Sequence, residues 1–497
     1  MGTLKFVSAG YQANPYCNTG LYVKYKNFDR FEVVSEGANH CHLILPDREI
    51  YLGVNNLRSP SNQFLNGFDE YLDLNCLGEK YNSTILENYM FNFTDTGGSE
   101  KGLEKNKDRG ATVFCDSGGF QIAMGRSTII NPIDLVKYYN KNCNLGMVLD
   151  IPDYNGGEPF PDDMIDDLAT VQKRNTDYML AHIEEGVELI NIIHGSTFNQ
   201  KINYLKKVHD DKIHRLAVPS VGIPMSLPRL SLILELCKTC KELGNYHHLH
   251  LLGTFNKGVI YILAKLAHCQ LPEVQGFDFT IDASTPLQNM KNLTYAKNIS
   301  VWDGYQEYNP YPSEHFKQID FARAKYDENF GTFNDHAYLP CNCPICSRLK
   351  YAYVLRNLRG GTMRNAVFLN HNSRETAEFV RMVDVMAKNL SDKEYLHYIT
   401  TIQDTDSSDS VNCLKFIHRA EKVGLEQARE DFKNYLVEKN FGMKPFSLFG
   451  APKKAGMLSE YLQDLIKQYK EIDFENYTAK VKTGKAMRSA TTIKKEL

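Results

Sequence analysis

Short apolar runs rich in β-branched residues recur through the middle of the chain, and each ends on or next to a carboxylate or a glycine. Amphipathic stretches with helical spacing separate these runs, as at residues 229–236. Successive run ends are about 27 to 45 residues apart, which is the length of one strand and the helix after it. The six runs end at Asp116, Asp150, Gly195, Gly222, Gly253 and Asp282.

Two further strands are indicated upstream, at residues 42–45 and 51–54. Together with the six repeating units they predict an α/β fold, an eight-stranded (β/α)8 TIM-like barrel. A doubly wound sheet would show a similar rhythm and is the alternative. In a barrel the carboxyl ends of the strands converge on one face, so we expect Asp116, Asp150, His194 and Asp282 to lie together.

The rhythm changes to an irregular, helical pattern after about residue 305, and no clear strands follow residue 390. We therefore predict a barrel domain over residues 1–390, with a subdomain at about 305–385, and a helical C-terminal extension over 391–497. The lysine-rich segment from residue 476 onward is either a solvated, disordered tail or a basic arm that contacts phosphates.

Composition narrows the class of protein. A chain of 497 residues with a net charge of -3 indicates more than one structural unit and no generally basic surface, so contact with nucleic acid would need a local basic patch. No apolar run is long enough to span a bilayer, and the N-terminus lacks the apolar core of a signal peptide. We expect a cytoplasmic protein without a membrane partner.

The clearest motif follows the first repeating run: Asp116, Ser117, two glycines and Phe120. The glycines allow a tight turn or the close approach of a ligand, and Phe120 puts a flat apolar face beside an acid. Such a turn could begin a pocket for a planar, polar-edged molecule such as a nucleobase. The alternative is a strand that ends at a glycine turn with a solvated carboxylate.

Cysteines are concentrated in one short segment with the spacing C-x-C-x-x-C. Three thiolates with one imidazole would satisfy a closed, tetrahedral and therefore structural zinc site. The predicted ligands are Cys341, Cys343, Cys346 and His371. On proximity alone, His336 and His397 compete with His371. By contrast, the pair Cys237 and Cys240 falls within a predicted amphipathic helix and is interpreted as ordinary helix.

Together, the Asp-Ser-Gly-Gly-Phe-Gln motif after a strand and the cysteine cluster with a distant histidine resemble the tRNA-guanine transglycosylase superfamily. The likeness covers roughly residues 40 to 385. The superfamily includes queuine and archaeosine enzymes and the DNA-guanine transglycosylases of phages and bacterial genomic islands. The resemblance implies a (β/α)8 barrel with a zinc-bearing insertion.

The resemblance also implies roles for individual residues. Asp116 matches the general acid/base, and Asp282 resembles the nucleophile that captures the sugar. Asp150 stands where the family has a carboxylate that binds the amino and imino edge of guanine. Phe120 resembles the aromatic residue that stacks on the base, with Leu252 as a partner on the other face.

Some positions depart from the family pattern. His194, Gly195 and Ser196 stand where the family has Gln-Gly-Gly, and the stretch Ser220, Val221, Gly222 replaces Gly-Gly-Leu-Ala. These positions contact the base edge in the family, so the resemblance does not determine which base this protein prefers. Three alternatives also stay open: Asp278 in place of Asp282, a helix-capping role for Asp150, and a core role for His194.

The helical C-terminal part and the divergent base-edge residues resemble the DNA-modifying branch. The predicted function is exchange of guanine in DNA for a free 7-deazaguanine base, in a phage-encoded or bacterial setting. The alternatives are action on tRNA and a non-catalytic accessory subunit, and a homodimer is left open. Candidate phosphate contacts, which a solvated helix face would explain equally well, are Arg348, Lys350, Arg356, Arg359 and Arg364.

Overall fold

The structure is a computed structural model. It describes residues 2–9, 19–29, 32–36, 40–54, 67–74, 88–93, 110–123, 127, 129–153, 160–219, 225–244, 246–287, 294–297, 317–320, 343–349, 361–402, 407–436 and 455–477.

Eight parallel strands close into a barrel, which confirms the predicted TIM-like architecture. With strands numbered in chain order, they are β1 (Leu4–Ala9), β7 (Asn88–Asn92), β8 (Thr112–Asp116), β9 (Leu145–Met147), β10 (Glu188–Ile192), β11 (Arg215–Pro219), β12 (His248–Leu252) and β13 (Asp278–Ala283). Chain order is also the order around the barrel, and β1 closes it by pairing with both β7 and β13.

The two upstream strands exist, but the prediction that they complete the barrel is wrong. They are β4 (His40–Leu45) and β5 (Arg48–Val54), which a two-residue turn joins into an antiparallel hairpin. Parallel neighbours need a long crossover, so strands this close in sequence pair antiparallel. The remaining members of their five-stranded sheet, which is inserted between β1 and β7, are β2 (Thr19–Tyr25), β3 (Glu32–Glu36) and β6 (Glu70–Asp73).

Helices follow the barrel strands and begin at recognisable sequence signals. They are α1 (Gly119–Ala123), α2 (Pro132–Asn142), α3 (Asp162–His182), α4 (Phe198–Val208), α5 (Leu227–Leu243) and α6 (Lys257–His268). The side chain of Asn131 accepts a hydrogen bond from the backbone of Ile133 and so caps α2. A reciprocal capping box between Thr197 and Gln200 begins α4.

The later part of the chain packs on the outside of the barrel. Its elements are the antiparallel pair β14 (Thr294–Lys297) and β15 (Lys317–Asp320), then α7 (Pro344–Leu349), α8 (Gly361–Asn389), α9 (Asp392–Ile402), α10 (Ser407–Val423), α11 (Leu425–Asp431), a 3₁₀ turn (Lys433–Tyr435) and α12 (Ala455–Glu471). Helix α8 packs against β1 and α6, and the Tyr395 hydroxyl of α9 donates to the backbone oxygen of Tyr261 in α6 at 2.9 Å. Among the helices that the structure describes, none combines the length and hydrophobicity needed to cross a membrane.

Candidate active site

Three carboxylates lie at the carboxyl ends of barrel strands, as predicted. Asp116 ends β8, Asp150 follows β9, and Asp282 lies next to the end of β13. They are close enough to interact: burial raises the pKa of Asp116 to about 7, and the negative charges of Asp150 and Asp282 add to that rise. Asn92 donates a hydrogen bond to Asp116 at 2.5 Å, which opposes the rise. Asp116 can therefore release or take up a proton near neutral pH.

The two positions after Ser117 require glycine for different structural reasons. Gly118 has a φ of 84°, in the left-handed region that favours glycine. A Cβ on Gly119 would lie 2.3 Å from the backbone oxygen of Asp150 and 2.6 Å from its Oδ1. Ser117 completes the link, because its hydroxyl donates to Asp150 Oδ1 at 2.9 Å. The motif therefore brings the β8 turn against the carboxylate of the next strand.

Asp150 belongs to a buried chain of charges that the sequence indicated only in part. His194 Nε2 lies 2.8 Å from Asp150 Oδ2, and His194 Nδ1 lies 3.2 Å from Asp153 Oδ1. Burial alone would lower the pKa of His194, but the hydrogen bonds and charges of the two carboxylates outweigh it and raise the pKa to about 9. The imidazole is therefore cationic at neutral pH and donates to both acids.

Asp153 is a residue that sequence analysis missed. Its second oxygen accepts a hydrogen bond from the backbone of Gly195 at 2.9 Å. Burial alone would raise the pKa of Asp153, but the hydrogen bond and charge of His194 outweigh burial and lower it. The available signal was its position three residues after Asp150, before the next helix. His194 is 1% exposed and both of its ring nitrogens are paired, so this placement agrees with the alternative of a satisfied buried histidine more than with a direct base contact.

Among the described residues, Asp282 is held through one of its two oxygens. Its Oδ1 accepts from the backbone of Gly253 at 2.7 Å and lies 3.1 Å from His250 Nε2. Its Oδ2 has no hydrogen-bond partner among the described residues. His250 was missed because a histidine in the middle of an apolar strand gives no signal of what it contacts. The described residues therefore fix one oxygen of this carboxylate.

Asp278, the alternative to Asp282 in the sequence analysis, lies at the other end of the barrel. It begins β13, and its Oδ1 accepts hydrogen bonds from the backbone and the hydroxyl of Thr3, both at 2.9 Å. Residues 278, 280 and 282 alternate with outward residues along one strand, so both acids face inward but at opposite ends. Of these two acids, Asp282 lies at the end of the barrel where Asp116 is found, and its charge acts on Asp116.

The remaining predicted base contacts are placed in part. Phe120 lies in α1 directly after the glycine turn, and Leu252 ends β12 one residue before Gly253; both are partly buried. Gly195 has a φ of 122° and lies against the first turn of α4. The predicted contacts Ser220, Val221 and Gly222 lie outside the described residues.

Two of the predicted metal ligands converge on a third. The sulfurs of Cys343 and Cys346 lie 3.4 Å and 3.2 Å from Nδ1 of His371, and the cluster could hold a metal ion. Tetrahedral zinc with bonds of about 2.3 Å to sulfur and about 2.0 Å to nitrogen would set these atoms roughly 3.5 Å apart, so the donor set fits. The fourth predicted ligand, Cys341, and the competing His336 lie outside the described residues, and His397 is exposed on α9.

The pair Cys237 and Cys240 lies in α5 as expected. Burial raises the pKa of both thiols, which leaves them protonated and unreactive.

Arg348, a candidate phosphate contact, is only 5% exposed. Its guanidinium lies 2.8 Å from Glu70 of the five-stranded sheet and donates to the backbone oxygen of Pro344 at 2.8 Å. This placement favours a structural link over contact with phosphate. Lys350, Arg356 and Arg359 lie outside the described residues, and the side chain of Arg364 is likewise not described.

Neither a scan against protein-family models nor a search of curated proteins returned a match. The class that fold and site define therefore comes from the geometry: a TIM-like barrel with three interacting carboxylates at the carboxyl end of its strands, and a Cys-Cys-His cluster suited to a metal ion.

Proposed function

We propose that the protein is a guanine transglycosylase that exchanges guanine in DNA for a 7-deazaguanine base through a covalent bond between Asp282 and the sugar. The observation that carries the proposal is the pairing of two different acids in one barrel mouth. Asp116 has a pKa raised to about 7 by burial and by its acidic neighbours, and Asp282 has one oxygen without a partner among the described residues. These are the requirements of a proton-transfer group and a nucleophile.

In the first half-reaction, Oδ2 of Asp282 attacks C1′ of the sugar as the bond from C1′ to N9 of guanine breaks. Protonated Asp116 gives its proton to the departing base. A carboxylate beside the sugar also stabilises the positive charge that develops there, as in retaining glycosidases.

In the second half-reaction, the ionised Asp116 takes the N9 proton of the incoming 7-deazaguanine. The base then attacks C1′ and the bond to Asp282 breaks, which restores both acids. Exchange outcompetes hydrolysis only if the closed site excludes water. The target nucleotide must also be flipped out of its stack to reach the barrel mouth.

Base recognition is assigned to Asp150. Hydrogen bonds from Ser117 and from the cationic His194 fix both of its oxygens, but each oxygen has a second lone pair. Those lone pairs can accept hydrogen bonds from the amino and imino groups of guanine. A base without these two donors cannot make the same bonds.

The metal is assigned a structural role. We propose zinc bound by Cys341, Cys343, Cys346 and His371, since four protein ligands leave no open position for a substrate. Zinc would then tie α7 to α8, and α8 itself packs against β1 of the barrel.

The test is incorporation of radiolabelled guanine into plasmid DNA and, separately, into bulk tRNA. Wild type should label the plasmid, and Asp282→Ala should not. Asp278→Asn is the matched control, because it changes an acid of the same strand at the far end of the barrel and should retain exchange. Labelling of tRNA alone would overturn the assignment to DNA. Labelling of neither polymer by folded, zinc-loaded protein would favour a non-catalytic accessory subunit.

A further inference from the structure

A chain of hydrogen bonds runs through the barrel interior to Asp282. His248 Nε2 lies 2.8 Å from the hydroxyl of Thr280, and that hydroxyl lies 2.7 Å from Nδ1 of His250. His250 Nε2 then lies 3.1 Å from Asp282 Oδ1. The parallel register of β12 and β13 pairs His250 with Thr280, so alternate residues of the two strands meet inside the barrel. All four side chains are buried.

The direction of these bonds follows from the last of them. An ionised Asp282 can only accept, so Nε2 of His250 must carry a hydrogen. In neutral His250 the other nitrogen, Nδ1, is then an acceptor and takes the hydroxyl hydrogen of Thr280. The hydroxyl oxygen in turn accepts from Nε2 of His248. Every donor in the chain points toward Asp282.

The far end of the chain agrees with this direction. Burial lowers the pKa of His248 well below its ordinary value, so this ring is neutral and its Nδ1 carries no hydrogen. That atom has no hydrogen-bond partner among the residues that the structure describes. His248 lines a polar cavity of about 370 Å³ where the barrel strands begin.

We infer that His250 is a positioning residue for the nucleophile: oriented by the Thr280 hydroxyl at its Nδ1, it donates from Nε2 to Oδ1 of Asp282, fixes that oxygen and leaves Oδ2 as the oxygen that bonds to the sugar. The inference rests on the proposed function, because it assigns the bonding oxygen of that reaction. The hydrogen bond that one ring nitrogen makes decides which form the other nitrogen takes. Thr280 therefore acts on Asp282 without touching it.

The kinetic test compares two substitutions of Thr280. Thr280→Val nearly keeps the shape but removes the hydroxyl, so Nδ1 of His250 loses the hydrogen bond that orients the ring against Oδ1 of Asp282. We expect kcat for guanine exchange to fall about 10- to 100-fold while KM for DNA stays within about 2-fold. Thr280→Ser keeps the hydroxyl and should recover most of the lost rate. Equal kcat values for wild type and Thr280→Val would overturn the inference.

A spectroscopic test does not depend on activity. In protein labelled with ¹⁵N-histidine, the His250 signals, identified by their loss in His250→Gln, should show a protonated Nε2 and an unprotonated Nδ1. A protonated Nδ1 with an unprotonated Nε2 in wild type would overturn the inference even if exchange occurs. Failure of the wild-type exchange assay would instead count against the proposed function, and the ring signals would still decide the tautomer.

Discussion

Asp116 is the residue whose environment departs most from that of an exposed acid. Its pKa is raised from 3.8 to about 7, so the folded protein keeps a proton that the unfolded chain gives up over that range. The fold therefore loses stability as the pH rises from about 4 to 7, and the full cost of the buried charge is present above pH 7. An acid/base group is available at neutral pH because the fold accepts this cost.

Asp116→Asn removes that cost along with the proton-transfer group. We expect the difference in unfolding free energy between the variant and wild type to grow, in favour of the variant, by on the order of 2 kcal/mol from pH 5 to pH 8. The reason is that each pKa unit is worth about 1.4 kcal/mol. Guanine exchange should be lost at both pH values. Urea denaturation at the two pH values measures the gain. The exposed acid Asp29 provides the control, as Asp29→Asn should follow wild type; a pH-independent difference for Asp116→Asn would contradict the assignment.

The sequence predicted the acids better than the groups that hold them. Asp116, Asp150 and Asp282 each lie at the end of an apolar run, a position that sequence alone can recognise. Asp153 and His250 matter because they contact side chains on neighbouring strands, and those contacts depend on register. Local pattern carries no information on register between distant parallel strands.

At the scale of elements, the rhythm from residue 111 onward predicted six barrel strands, and all six are present. The other two, β1 and β7, were missed. They are no shorter than most of the strands that were predicted, but neither is followed by a helical pattern of the kind that marks the later units. The hairpin strands β4 and β5 had the stronger strand pattern and were taken in their place. Hydrophobic pattern detects a strand, but it does not identify the sheet that the strand joins.

The link between α7 and α8 is expected to depend on metal. Cys346→Ser should abolish stoichiometric zinc, about one ion per chain in wild type, because a neutral hydroxyl replaces a thiolate ligand. Thermal unfolding should begin at a lower temperature, as it should for wild type treated with a chelator. Elemental analysis and calorimetry measure the two effects.

Ser347→Ala is the matched control for this prediction, because Ser347 is the exposed neighbour on the same helix. It should bind zinc as wild type does. Full zinc content in Cys346→Ser would rule out a ligand role for that thiol.

At the scale of the whole molecule, the C-terminal helices are part of the barrel's outer layer in the region that the structure describes. The hydroxyl of Tyr469 on α12 accepts from the backbone nitrogen of Ile130 at 2.9 Å and donates to its backbone oxygen at 3.2 Å. Tyr469 is fully buried, so this contact joins the end of the described chain to the loop before α2.

Tyr469→Phe should therefore cost about 1–3 kcal/mol of unfolding free energy, because both backbone groups of Ile130 lose a buried partner. Tyr435, which is 64% exposed, gives the control: Tyr435→Phe should change stability by less than about 0.5 kcal/mol. Urea denaturation measures both. Equal stabilities for the two variants would show that the hydrogen bonds of Tyr469 to Ile130 contribute little to stability.

The closure of the barrel by β1 has a consequence for biosynthesis. Residues 4–8 of β1 pair with residues 279–283 of β13, so this edge of β1 stays unpaired until β13 has been synthesised. A ribosome adding about 5 to 20 residues per second needs roughly 15 to 55 seconds to make the chain between them. Throughout that interval one edge of the nascent sheet is open to other strands, and slow translation or a missing chaperone would expose this protein to aggregation at its N-terminal strand.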